Sequence, residues 1–152
     1  MKRLLLVLAI AGCASKRISH HRSGWGSSCQ AADPNLIQCG GKLVAKVECF
    51  QPFDESCGAL AVNYTDGERV FLWRPAGFEP GQEASLPTGG VIRPELGSDG
   101  RLIWFKGAQS GRDTWTVYEP ETGIMREVDA AGIFRIREHD PHSMPLWAVT
   151  TK

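Results

Sequence analysis

Four cysteines, Cys29, Cys39, Cys49 and Cys57, constrain the fold of this chain more than any other feature. They are separated by nine, nine and seven residues, so the close Cys-x₂₋₄-Cys pairs typical of structural zinc sites are missing. In an oxidising compartment, an even number of cysteines predicts disulfides. Pairing of neighbours, Cys29 with Cys39 and Cys49 with Cys57, is favoured because short loops close most easily. The two other connectivities and a zinc site stay open as alternatives.

The first thirteen residues indicate the compartment. Lys2 and Arg3 precede an apolar run, Leu4 to Ala11, that stops at Gly12-Cys13. A short apolar run after basic residues is typical of a secretion signal, and it is too short to cross the ~30 Å hydrocarbon core of a bilayer.

The end of this run, Ile10-Ala11-Gly12-Cys13, resembles the lipobox of bacterial lipoproteins. The resemblance implies a signal peptide over 1–12 and a lipid on Cys13, with acyl chains that anchor the protein in a bilayer. Because Ala14 is not the aspartate that often retains such proteins in the inner membrane, we expect the outer membrane, with the head facing the periplasm or the cell surface. Cleavage after Ala14, which releases a soluble secreted protein, is the alternative.

Residues 13–28 are rich in Ser, Gly, His and Arg and predict a flexible tether before a single domain over 29–152. Five of the 17 basic residues precede residue 25, and none of the 17 acidic residues does. The remainder therefore has 12 basic and 17 acidic residues and a formal charge of −5. An acidic head argues against nucleic-acid binding and favours a basic partner.

The pattern of the head predicts strands. Leu43, Ala45, Val47 and Cys49 alternate with charged residues, which is typical of a strand with one buried face.

Residues 59–64 and 69–74 predict a hairpin, because Asp66-Gly67 between them suits a two-residue type I′ turn. That turn would place Tyr64 opposite Arg69, Val62 opposite Phe71 and Leu60 opposite Trp73.

Several prolines and glycines interrupt regular structure over residues 75–100, so we expect this segment to be mostly loop with one short strand. Further strands are predicted over 101–106, 114–119, 124–128, 133–138 and 146–150. No helical periodicity follows the signal. We therefore expect an all-β domain, a small antiparallel barrel or sandwich of about seven or eight strands, stapled by disulfides.

Several features follow one another in a recognisable order between Cys57 and Val117. They are the hairpin over 59–72, Leu86-Pro87, Asp99-Gly100 and the strand Leu102-Ile103-Trp104-Phe105-Lys106-Gly107-Ala108. This order resembles the membrane-bound inhibitors of c-type lysozyme, which are small lipidated eight-stranded barrels of the bacterial envelope. The resemblance implies a binding protein rather than an enzyme, with lysozyme or another protein as its partner.

In that family, a loop serine and a later lysine meet the two catalytic carboxylates of lysozyme. Lys106 stands at the place of the lysine. Arg93 stands where the family has its serine, Ser98 follows a few residues later, and no cysteine after Cys57 can form the bridge of the family. We therefore expect Lys106, Arg93 and Ser98 to form the binding site, with the cations making charge-assisted bonds to carboxylates. A solvated Lys106 at a strand end is the alternative.

His139-Asp140-Pro141-His142 is the one cluster of metal-ligand residue types in the sequence. Pro141 predicts a turn with exposed imidazoles, and the alternative is a metal-dependent hydrolase that takes a third ligand from Glu138 or Asp140. The sequence contains no Gly-x-Ser-x-Gly or His-Glu-x-x-His motif. We therefore expect no catalysis, no cofactor and no metal. The alternative to an inhibitor is a structural or assembly lipoprotein of the envelope.

Overall fold

The computed structural model describes residues 29–52, 54–79, 81–82, 90–107 and 114–145. These ranges contain eleven β-strands, one α-helix and one short 3-10 helix. The strands are β1 (Cys29–Asp33), β2 (Leu36–Cys39), β3 (Lys42–Phe50), β4 (Ser56–Cys57), β5 (Ala59–Tyr64), β6 (Arg69–Trp73), β7 (Val91–Ile92), β8 (Glu95–Leu96), β9 (Ile103–Phe105), β10 (Trp115–Glu119) and β11 (Ile124–Val128). Helix α1 spans Ala130–His139, and the 3-10 helix spans Pro141–Ser143. We call these last two elements the C-terminal layer. The predicted signal peptide, Cys13, the tether, Leu86-Pro87 and the strand over 146–150 lie outside the described residues.

The strands form two larger antiparallel sheets. One has the order β1-β2-β3-β5-β6 and the other the order β11-β10-β9-β8, while β4 and β7 form a two-residue pair. The all-β class is confirmed, and the two sheets pack as a sandwich. The described strands do not close into a barrel. Eight of the eleven strands have three or more residues, close to the predicted seven or eight, but β1 and β2 were not among the predicted strands.

The main core lies between the two sheets. Its buried side chains include Ile37, Val47, Leu60 and Val62 from the five-stranded sheet and Ile103, Phe105 and Tyr118 from the four-stranded sheet. Inside this core, the hydroxyls of Tyr64 and Tyr118 are 2.7 Å apart, and Tyr64 also donates to the carbonyl of Pro120 at 3.0 Å. Because a phenol has one proton to give, Tyr118 is the donor in the first bond. This polar bridge ties the position of one sheet to the other.

A second core lies on the opposite face of the four-stranded sheet, under the C-terminal layer. It contains Leu102, Trp104, Val117, Val128 and Met144, and Ile133 and Ile136 of α1 pack against it. Successive residues of a strand point to opposite faces. Residues 103 and 105 therefore enter the sandwich core, and Trp104 enters the second core. The middle of this sheet is thus covered on both faces.

The predicted strand over 133–138 is wrong, because this segment is the helix α1. The helix begins where Asp129 acts as N-cap and accepts a hydrogen bond from the N–H of Gly132 at 2.8 Å. Arg137 and His139 lie in its last turn, where cations are favoured by the helix dipole. Ile133 and Ile136, one turn apart, are partly buried and form the apolar stripe that faces the sheet. Residues 129–132 therefore form the start of the helix.

The β5–β6 hairpin has a three-residue loop instead of the predicted two-residue turn. The N–H of Gly67 donates to the carbonyl of Tyr64 at 3.0 Å, and the N–H of Tyr64 donates to the carbonyl of Glu68 at 2.8 Å. Gly67 has φ of 95°, as a type I turn followed by a bulge requires. The observed pairs are Asn63–Arg69, Val62–Val70, Ala61–Phe71 and Leu60–Trp73. Two predicted pairs are therefore wrong, and a second irregularity restores the predicted pair of Leu60 with Trp73.

A bulge also changes the exposed face of β3. Ile37 pairs with Ala45 and Gln38 pairs with Leu43, which leaves Val44 as an extra residue. Val44 packs against the core, whereas Leu43, predicted to be buried, is 44% exposed. The rest of the predicted alternation holds, with Ala45 and Val47 buried.

Both disulfides have the connectivity favoured from the sequence. Cys29–Cys39 joins two residues that lie opposite each other in β1 and β2, and Cys49–Cys57 joins β3 to β4. The first lies within the five-stranded sheet, and the second connects this sheet to the β4–β7 pair. The four sulfurs are consumed by these bonds, so the zinc alternative does not apply to them.

Candidate functional site

The structure brings together two of the three binding residues predicted from the sequence. Arg93 directly follows β7, and Lys106 directly follows β9. The N–H of Ile92 donates to the carbonyl of Lys106 at 2.9 Å, and Val91 forms a β-bridge with Gly107. Ile92 therefore lies opposite Lys106 at one end of the four-stranded sheet, and Arg93 follows one residue later on the neighbouring segment. We call Arg93, Lys106 and the neighbouring Trp115 the cation–tryptophan site.

Lys106 is oriented by an aromatic ring. Its Nζ lies 4.8 Å from the ring centroid of Trp115, which faces it across the ladder because Phe105 pairs with Thr116. Such a cation–π contact contributes about 0.5 to 1 kcal/mol at an exposed site. Both side chains are half-buried. Lys106 is therefore a positioned cation, in contrast to the fully solvated lysine that the alternative interpretation expects.

Arg93 completes the site from the neighbouring segment. Its side chain is exposed, and its backbone N–H donates to the carbonyl of Glu55 at 2.8 Å. This bond holds the segment after β7 against the loop before β4. Arg93 therefore extends from a fixed backbone and its guanidinium is accessible to a partner.

Ser98 lies elsewhere. It belongs to the turn between β8 and β9, at the end of β9 opposite Lys106. The extended chain from Leu102 to Lys106, which contains β9, spans four residue steps or about 13 Å. The hydroxyl of Ser98 donates to the carbonyl of His142 at 3.1 Å. The structure thus places Ser98 against the C-terminal layer and apart from the other two predicted binding residues.

The turn that contains Ser98 is where the 3-10 helix docks. The N–H of Asp99 donates to the carbonyl of His142 at 3.2 Å, and the hydroxyl of Ser143 donates to the carboxylate of Asp99 at 2.7 Å. Gly97 is required here, because a Cβ at this position would lie 2.5 Å from the backbone oxygen of Ser143. The same oxygen accepts a hydrogen bond from the indole of Trp104 at 2.8 Å. These contacts fasten the end of the C-terminal layer to the sheet.

His139 and His142, the candidate metal ligands, are both exposed, as the turn interpretation expects. His139 ends α1, and His142 lies in the 3-10 helix. Among the described residues, no group of three or more His, Cys, Asp or Glu side chains is placed to hold a metal ion. The geometry of the described residues therefore lends no support to the hydrolase alternative.

Two further surfaces were missed from the sequence. The first is on the outer face of the five-stranded sheet, where Phe71 stacks with Phe50 at 5.9 Å and meets Phe78 edge-on at 5.4 Å. Arg69 lies over Phe50 at 5.4 Å, and Arg74 lies over Phe71 at 5.9 Å. The signal that could have indicated this surface is the spacing of Arg69 and Phe71, which share one face of β6, with Arg74 just after the strand.

The second missed surface is an open cleft between the four-stranded sheet and α1. Arg101, Arg126, Arg135 and His139 line it, together with two carboxylates. Predicting a strand instead of α1 concealed it, because these residues are close only when the helix is present. We call it the arginine cleft.

The part of the chain that the structure describes contains no helix with the length and hydrophobicity needed to span a membrane. Comparisons with models of known protein families, with curated protein sequences and with solved structures found no match.

Proposed function

We propose that this chain is a lipid-anchored protein of the bacterial outer membrane whose β-sandwich head binds a protein partner through the cation–tryptophan site. The observation that carries the proposal is the contact of the Lys106 ammonium group with Trp115, next to the backbone segment that holds Arg93. The two disulfides support a location outside the cytoplasm, since such bonds persist in oxidising compartments. Cys13, at the end of the lipobox-like segment, would carry the anchor.

The chemistry of the site favours an acidic surface on the partner. Arginine and lysine form charge-assisted hydrogen bonds with carboxylates, and these bonds strengthen when water is excluded. Tryptophan and arginine are also enriched among the residues that dominate binding energy at interfaces. A site that combines both residue types suits an acidic cleft with an apolar rim.

A c-type lysozyme is the specific partner that the family resemblance supports. Its cleft holds two catalytic carboxylates, which two adjacent cations could engage. The position of Ser98 means that binding in this protein would rest on Lys106 and Arg93, without the serine that the family uses. The net charge of −5 from residue 25 onward would attract a basic enzyme over about a Debye length, ~8 Å at physiological salt.

The test is inhibition of a c-type lysozyme by the full chain purified in detergent. We expect inhibition at micromolar concentration and a loss of about tenfold or more, ~1.4 kcal/mol, for Lys106→Ala and for Arg93→Ala. Lys42→Ala is the matched control, because Lys42 is an exposed lysine at the start of β3 in the other sheet. Absence of inhibition by the unaltered protein would eliminate lysozyme as the partner.

Crosslinking in intact membranes then tests the wider proposal. We expect a protein partner whose crosslinking is reduced by Lys106→Ala and Arg93→Ala and is unchanged by Lys42→Ala. A partner captured equally by all three variants would show that binding uses another surface, as expected for a structural lipoprotein of the envelope. Mass spectrometry of the N-terminal peptide from the native host tests the anchor, and an unmodified Cys13 would contradict it.

A further inference from the structure

The arginine cleft is a cavity of about 310 Å³. Three different elements supply its arginines: Arg101 comes from the β8–β9 turn, Arg126 from β11 and Arg135 from α1. Arg126 pairs with Val117, which is buried in the second core, so Arg126 shares the sheet face that α1 covers. The cleft is therefore a product of the way α1 lies on the sheet.

The cations of the cleft are only partly neutralised. Arg101 forms an ion pair with Asp140 at 3.8 Å, and both side chains are more than half exposed, so this pair contributes little. Arg126 and Arg135 form no ion pair with any residue that the structure describes. Three guanidinium groups and the imidazole of His139 face two carboxylates, those of Glu119 and Asp140. A positive site is thus built on a head that is acidic as a whole.

The shape and donor set of the cleft favour a particular ligand chemistry. Guanidinium groups bind oxyanions through two parallel N–H donors. Arginines from three elements suit a tetrahedral phosphate, because each can engage different oxygens, whereas a planar carboxylate offers only two. Leu102 and Ile136 supply apolar lining. The volume is at the lower end of the range for small-molecule sites and fits a phosphate with a small organic group.

We propose that the arginine cleft binds a phosphate group, carried either by a small soluble phosphate ester or by a lipid headgroup. This site is separate from the cation–tryptophan site and does not depend on the proposed protein partner. Arg126 and Arg135 hold the phosphate, and Arg101 exchanges Asp140 for the ligand or bridges the two.

Calorimetric titration of the full chain in a neutral detergent tests this proposal, with inorganic phosphate and glycerol 3-phosphate as probes. We expect saturable binding that Arg126→Gln and Arg135→Gln each weaken by about tenfold, ~1.4 kcal/mol. Arg137→Gln is the matched control, because Arg137 is exposed on the same helix and does not line the cleft. We expect this control to bind like the unaltered protein.

A second arm distinguishes the two sources of phosphate. The Cys13→Ser variant, which cannot carry the lipid, is sedimented with phosphatidylcholine vesicles that contain one quarter phosphatidic acid and with pure phosphatidylcholine vesicles. Binding to the former that is lost in Arg126→Gln supports a lipid headgroup, and binding of the soluble probes alone supports a free ester. The proposal is overturned if neither probe nor vesicle binds, or if Arg137→Gln weakens binding as much as Arg126→Gln.

Discussion

The five-stranded sheet and the C-terminal layer are held in place by different means. The sheet half of the sandwich contains both disulfides and a continuous ladder of five strands. The C-terminal layer has no disulfide to the sheet, because the sequence has no cysteine after Cys57. It depends on the second core and on a few hydrogen bonds, among them those of Trp104 and Asp99 to Ser143.

This difference separates the two proposed sites by their expected stability. Segments with few buried contacts and no cross-link open more easily than a cross-linked core. The arginine cleft is formed by the C-terminal layer, so its ligand affinity should follow the stability of that layer. The disulfides, by contrast, lie in β1 to β4 and protect the half of the molecule that would follow the tether.

The largest effect is expected from Trp104, which connects the four-stranded sheet to the C-terminal layer. Trp104→Ala should lower the free energy of unfolding by about 3 to 5 kcal/mol, because a fully buried indole is replaced by a cavity. Trp104→Phe keeps most of the volume and removes the bond to Ser143, so it should cost less. Guanidinium denaturation under oxidising conditions measures both. Equal losses for the two variants would show that packing against the C-terminal layer is not what Trp104 supplies.

The Cys49–Cys57 disulfide tests how much the cross-links stabilise the sandwich. The double variant Cys49→Ala/Cys57→Ala should lose about 2 to 4 kcal/mol, because an unfolded chain without the bridge has more conformations. The double variant Cys29→Ala/Cys39→Ala removes the other bridge, which closes a loop of similar length, with a separation of 10 residues instead of 8. It should cost somewhat less, since Cys57 is fully buried in the sandwich core and Cys29 lies on an edge strand. Thermal or guanidinium unfolding measures both variants. A greater loss of stability without Cys29–Cys39 than without Cys49–Cys57 would contradict this order.

The smallest effect is expected at the N-cap of α1. Asp129→Ala should cost about 1 kcal/mol, because the N–H of Gly132 loses its acceptor. Hydrogen exchange should then accelerate in α1 and leave β3 and β5 unchanged, whereas Asp129→Asn, which preserves an acceptor, should behave like the unaltered protein. Equal acceleration in α1 and in the five-stranded sheet would mean that the two regions unfold as one unit.

Most strands from β3 onward were predictable from the sequence, whereas β1, β2 and the C-terminal layer were not predicted. Strands with alternating residues and two local disulfides are determined by neighbouring residues. In α1, Ile133 and Ile136 are β-branched, and Gly132 is a poor helix former, so local propensity favoured a strand. Packing of Ile133 and Ile136 against the second core, which contains Trp104, outweighs that local propensity. This packing is visible only in the folded structure. The predicted hairpin register was wrong because Asp-Gly is compatible with more than one turn type.

The candidate site was predictable in part. Lys106 and Arg93 were proposed from the family resemblance, and the structure places the ends of β9 and β7 next to each other. Ser98 could not be placed, because its surroundings depend on the 3-10 helix more than 40 residues later in the chain, at residues 141–143. The arginine cleft was invisible for the same reason, since its residues come from three elements that are distant in sequence.

The bond between Cys29 and Cys39 also has a mechanical consequence. Cys29 begins the described head and is the first residue of β1, an edge strand that hydrogen bonds to β2 on one side. If the preceding segment pulls on the head, the load passes through the sulfurs into β2, which is flanked by strands on both sides. The disulfide therefore prevents force on the N-terminal side of Cys29 from separating the edge strand β1 from β2.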